Sequence, residues 1–111
     1  MKKYYVIDTN ITKEAIEQLT AEGADFITLQ SIKNEILQYR EEELKTLITA
    51  LEINGRLEIK EDTQFKEKLI DERLIALCKQ LLAEEETIEL LTNDLIVHLK
   101  AQHNGINAVI A

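Results

Sequence analysis

Apolar positions fall into short continuous runs separated by longer stretches with helical spacing, and the two kinds alternate along the whole chain. Residues 4–7, Tyr-Tyr-Val-Ile, are β-rich and apolar throughout, the pattern of a central parallel strand covered on both faces. Thr12 then caps a helix whose inner side carries Ala15, Ile16 and Leu19, until Gly23 stops it. A second short strand is read over 26–29, and Ser31 is the N-cap of a helix with Ile32, Glu35, Ile36 and Tyr39 on neighbouring turns. Residues 41–54 give another helix, with Leu44, Leu47, Ile48 and Leu51 on one stripe and Asn54-Gly55 as its terminator.

Leu57-Glu58-Ile59 alternates like an edge strand. Two helical stretches follow, over 64–70 and 71–83, then a strand over 88–91, a helix over 95–102 closed by Asn104-Gly105, and a last strand over 108–110. Strands alternating with helices predict an α/β fold: a three-layer α/β/α sandwich on a mostly parallel sheet of about five strands, joined by right-handed crossovers. At 111 residues the chain is expected to be a single domain over 1–111. No stretch reads as a linker, a repeat or a low-complexity tract.

Chemistry enters where the strands end. Asp8 follows the first apolar run and Asp94 follows the run over 88–92, each ahead of a helical pattern. In a parallel sheet the ligand crevice lies outside the carboxyl ends of the strands, so these two distant acids are expected to meet there. Carboxylates brought together repel unless a cation neutralises them, which points to a divalent-metal site. Glu35 and Asp71 are further candidates, the first along the edge of a helix whose other face is apolar, the second at the first turn of the helix carrying Leu74, Ile75 and Leu77. Each acid also has a structural reading as a cap, a turn residue or a solvated side chain. Glu41 to Glu43 rival Glu35, and Asp62 and Glu72 stand behind Asp71. Asn10, Thr92 and Asn93 supply amides and a hydroxyl suited to orienting carboxylates or a phosphate.

The pattern as a whole resembles the PIN-domain ribonucleases. Val6-Ile7-Asp8-Thr9-Asn10 is similar to their opening strand and first acid, the 31–36 helix to the one bearing the second acid at Glu35, Asp71-Glu72-Arg73-Leu74-Ile75-Ala76 to the third-acid helix, and Leu91-Thr92-Asn93-Asp94 to the closing signature. The resemblance implies a PIN-like fold and an endoribonuclease in which Asp8, Glu35, Asp71 and Asp94 hold Mg2+ or Mn2+, with water as the attacking group and a 3'-hydroxyl leaving. It also implies an RNA substrate, and brings in an antitoxin or other protein partner and a homodimer as partners such proteins have.

Composition adjusts this picture. Thirteen basic against 21 acidic residues give a formal charge of -8, the reverse of a nucleic-acid binder's usual footprint, so affinity driven by net charge is not expected. A bound dication would reverse the field locally. Cys78 is the lone cysteine and sits in an apolar helix, which excludes an internal disulfide or a thiolate cluster, marks it as a buried inert thiol and fits a cytoplasmic setting. The Met1-Lys2-Lys3 start precedes only four apolar residues, too few for a leader or a membrane span. His98 and His103 are too few for a zinc centre and are read as surface or phosphate-contacting. Lys33, Arg73, Lys79 and Lys100 are either RNA contacts or solvated helix cations.

Three rivals are weighed. A haloacid-dehalogenase-type phosphotransferase needs an acid two residues after the first, where this chain has Asn10, and a receiver domain needs an adjacent acid pair, which Asp8-Thr9 lacks. The third is a PIN-like fold kept as a binding or scaffold module with weak metal affinity. Retention of all four acids favours activity over it.

Overall fold

The computed structural model describes residues 3–111. Met1 and Lys2, part of the basic start weighed above, lie outside the described residues. Among the described residues, five strands form one sheet, β1 (Lys3–Ile7), β2 (Asp25–Leu29), β3 (Leu57–Lys60), β4 (Thr87–Leu91) and β5 (Ala108–Val109), in the order β3-β2-β1-β4-β5. Every pairing is parallel. The helices are α1 (Lys13–Ala21), α2 (Gln30–Tyr39), α3 (Glu42–Ile53), α4 (Ile70–Ala83) and α5 (Leu95–His103).

The chain runs outward from β1 through β2 to β3, then returns across the sheet to β4 and β5. With right-handed crossovers this places α1, α2 and α3 over one face and α4 and α5 over the other, and the helices pack accordingly, α3 against α1 and α2, and α4 against α5. Val6 and Ile7 are both fully buried, as are Leu90 and Leu91 within a few per cent, because helices cover both faces of the central strands. The core is Leu and Ile with Phe26, matching a sequence with few aromatics. Gly23 takes φ +85° just past α1, a left-handed value that favours glycine and turns the chain so that the Ala24 N–H reaches the Leu19 carbonyl.

Two expectations are corrected. The helix over 64–70 is absent: a short 3-10 turn, Asp62–Gln64, is followed by irregular chain up to Leu69. Arg73 donates from Nη1 to the carbonyls of Glu67 (3.1 Å) and Lys68 (2.8 Å), and Phe65 packs on the core, so tertiary contacts override the local pattern. Ser31 is not an N-cap. α2 starts two residues earlier than that cap implies, directly off β2, with Leu29 at the cap position and no side-chain cap. The carboxylate of Asp62 accepts instead from Ser31 N (2.9 Å) and Ser31 Oγ (2.5 Å), satisfying a free N–H of the first turn from 31 residues away.

Candidate active site

The strand order reverses between β1 and β4, and β1 and β4 are neighbours. Asp8 and Asp94 leave the carboxyl ends of these two strands, at the switch point where ligands bind in open α/β sheets. A cavity of about 350 Å3 opens there. Its walls include Asp8, Thr9, Asn10, Glu35, Asp71 and Asp94, with Ile70 and Val97 as apolar closure. Four segments remote in sequence therefore bring one acid each to a common opening.

Asp8 is the anchor of this arrangement. It is 8% exposed, the first residue beyond a strand whose last two side chains are buried. Its Oδ2 accepts from the Thr92 hydroxyl and its Oδ1 from the Thr9 N–H, both at 2.7 Å. Each oxygen keeps a further lone pair for another ligand. Burial raises the Asp8 pKa, the Thr92 and Thr9 hydrogen bonds pull it back, and the charges of Asp94 and Glu35 push it up again. The net direction is upward, so the fold holds this carboxylate at an electrostatic cost that nearby positive charge would relieve.

The other three acids are each held by the scaffold. Glu35 Oε1 accepts from the Thr9 hydroxyl at 2.7 Å, so one threonine fastens two acids. Asp94 caps α5, its Oδ1 accepting from Ile96 N (2.9 Å) and Val97 N (3.4 Å), while its own N–H donates to Thr92 Oγ1 (3.0 Å). Asp71 is the second residue of α4. Its Oδ1 accepts from Glu72 N (2.9 Å) and its Oδ2 from the Lys100 ammonium (2.6 Å). Among the described residues, no three His, Cys, Asp or Glu side chains stand grouped so as to hold an ion.

The polar neighbours divide. Thr92 is fully buried and bridges Asp8 to the backbone of Asp94. Asn10 is exposed on the cavity wall. The Asn93 amide grips the other end of the chain, Nδ2 donating to the Ala111 carbonyl (2.5 Å) and Oδ1 accepting from Ala111 N (3.1 Å). His98 Nε2 lies 3.1 Å from the Thr92 carbonyl, which can only accept. Of the reserve acids, Asp62 is held by Ser31 and Arg73, Glu41 pairs with Arg40, and Glu72 lines a separate groove.

Two residues that matter here carried no sequence signal of their role. Thr9 lay inside the quoted Asp-Thr-Asn, but nothing in that triplet reveals its hydroxyl reaching Glu35. Arg40, at the end of α2, donates from Nη1 to the Thr9 carbonyl and from Nη2 to the Ile11 carbonyl (2.7 Å), clamping the loop that carries Asp8. That contact spans about 30 residues and is visible only once β1 and α2 are neighbours.

The topology is an open parallel α/β sheet with a cavity at its switch point, and its likeness to a solved structure marks the fold as PIN-like. No family model matches the chain, and no curated protein matches it. Among solved structures it is similar to a PilT N-terminus domain protein from the hyperthermophilic archaeon Sulfolobus solfataricus P2, with a TM-score of 0.58 and 15% identity over 96% of this chain and 86% of that one. At that identity the likeness speaks for the fold. No helix of the described residues is long and apolar enough to cross a membrane.

Proposed function

We propose that this chain is a metal-dependent endoribonuclease of the PIN-domain kind, in which Asp8, Glu35, Asp71 and Asp94 hold Mg2+ or Mn2+. The observation that carries the proposal is the shared cavity: four acids from separate segments line one opening at the switch point, and the most buried of them has a raised pKa. The donor set fits a hard dication in kind, being carboxylate oxygen with hydroxyl and amide neighbours and no thiolate or imidazole. Bound there, such an ion supplies a water that is nucleophilic at neutral pH and charge compensation for the leaving oxygen.

The chain's own part is positioning. Thr92 fixes the rotamer of Asp8 and the start of α5 together, Thr9 ties Asp8 to Glu35, and Arg40 holds the backbone of the Thr9 to Ile11 loop. Asn10, exposed on the wall, would meet an incoming phosphate or sugar. The setting we infer is cytoplasmic, with RNA as substrate and an antitoxin-like protein or a second copy as partner.

The second reading, a binding or scaffold module, is favoured by two observations: Asp71 is engaged by Lys100, and among the described residues the acids are not grouped as ligands. Incubation of mixed RNA with Mn2+ separates the two. Cleavage by the parent that is lost in Asp8→Asn and Asp94→Asn supports the nuclease; no cleavage by the parent supports the scaffold; equal cleavage by all three means another source of activity.

A further inference from the structure

Lys100 projects from α5 across to the first turn of α4, where its ammonium takes Asp71 Oδ2 at 2.6 Å. The other oxygen, Oδ1, already accepts from Glu72 N. Both Asp71 oxygens are therefore engaged by the chain itself, although Asp71 lines the acid cavity. Lys100 lies between that cavity and a groove of about 470 Å3 along α4 and α5, which it lines with Lys79 and Asn104. The pair is only partly shielded, with side chains 36% and 29% exposed, so it can open without unfolding either helix.

A carboxylate directed to a cluster of like charges is stable there when a positive group answers it. In this fold an ammonium of the chain itself does so at one of the four acids, Asp71. We propose that Lys100 is a built-in counter-cation of the site, occupying Asp71 when the dication is absent and competing with it for that oxygen, so that metal loading requires the lysine to swing into the neighbouring groove. This rests on the metal reading above and adds a regulatory element to it: Lys100 lowers affinity for the ion and keeps the acids in place while the site is empty of it.

Mn2+ titration calorimetry on the purified chain tests this, with thermal unfolding used first to establish that each variant folds. Lys100→Met should bind Mn2+ about two- to fivefold more tightly than the parent, the range expected on removing a partly screened competing charge. Lys100→Arg should stay within about twofold of the parent, and the gain should vanish when Lys100→Met is combined with Asp71→Asn. Should Lys100→Met fail to fold, Lys100→Gln serves the same comparison. Unchanged or weaker binding by the Lys100 variants, alongside weakened binding in Asp8→Asn, overturns the competition while leaving the metal site standing. No Mn2+ binding by the parent or by any Lys100 variant overturns both.

Discussion

Asp94 has two roles that the structure superposes on one carboxylate, and substitution can take them apart. Its Oδ1 caps α5 through Ile96 N and Val97 N, while the side chain also lines the acid cavity. Asparagine keeps the capping oxygen and loses the charge; alanine loses both. Asn and Asp are near-equal N-caps, whereas replacement by Ala costs about 1 kcal/mol. For a chain of this size that is a fall in melting temperature of roughly 5 °C.

Metal-free, therefore, Asp94→Ala should melt about 5 °C below the parent and Asp94→Asn close to it. Mn2+ at ten times its dissociation constant should stabilise the parent by about 1.4 kcal/mol, since it binds only the folded state. Both variants should lose most of that gain. Urea unfolding with and without Mn2+ reads the two effects on one axis. The reasoning fails if Asn and Ala are equally destabilised without metal, or if Asp94→Asn gains as much from Mn2+ as the parent does.

Asp8 gives a pH signature of definite sign. Burial holds its folded pKa above the ordinary aspartate value of 3.8, so the stability it contributes is full below that value and is lost as pH rises through the raised one; metal-free Asp8→Asn should melt above the parent at pH 7, with the gap closing toward pH 4, and a lower melting point at pH 7 would refute this. Arg40→Ala removes two charged donors from the Thr9 and Ile11 carbonyls and should cost about 2 kcal/mol, with faster amide hydrogen exchange at residues 9–12; unchanged exchange there would show that the clamp is idle. Cys78 is fully buried and its thiol is pushed up to about 12 by that burial, so a disulfide-forming thiol reagent should label it only at the rate of unfolding; rapid labelling of the native protein would contradict the packing of α4.

The parts of the fold legible in sequence were those decided by burial alone. β1 and β4 announce themselves because a strand covered on both faces has to be continuously apolar, and Asp8 and Asp94 are conspicuous because charge follows immediately. Leu57-Glu58-Ile59 was readable as an edge because β3 lies at the margin of the sheet, where alternation survives. The misreadings lie where a distant side chain replaces a local one. Ser31 has the right chemistry for a cap, but Asp62 supplies the acceptor in its place. The 64–70 stretch has helical spacing, but Arg73 takes two of its carbonyls and Phe65 turns to the core. Asp71 was legible as a candidate, yet its partner Lys100, 29 residues on, was indistinguishable from any other helix lysine.

How such an acidic protein would hold RNA follows from where its cations are used. The three arginines are all committed to the scaffold: Arg40 to the Thr9 and Ile11 carbonyls, Arg56 to the Ala24 carbonyl and Asp25, and Arg73 to Asp62 and the loop before α4. Arginine is the side chain best suited to bidentate phosphate contact, so these commitments remove it from substrate binding. Lys33 is paired with Glu52 and Lys100 with Asp71, while Lys79 faces the groove beside the cavity. On the nuclease reading, phosphate recognition then falls to the bound dication and a few lysines near α4 and α5. With so few counterions to release, affinity for RNA has to be modest and only weakly dependent on salt. A lysine displaced from Asp71 by the ion would move into the groove along α4 and α5, so that loading of the site frees one more cation beside the cavity.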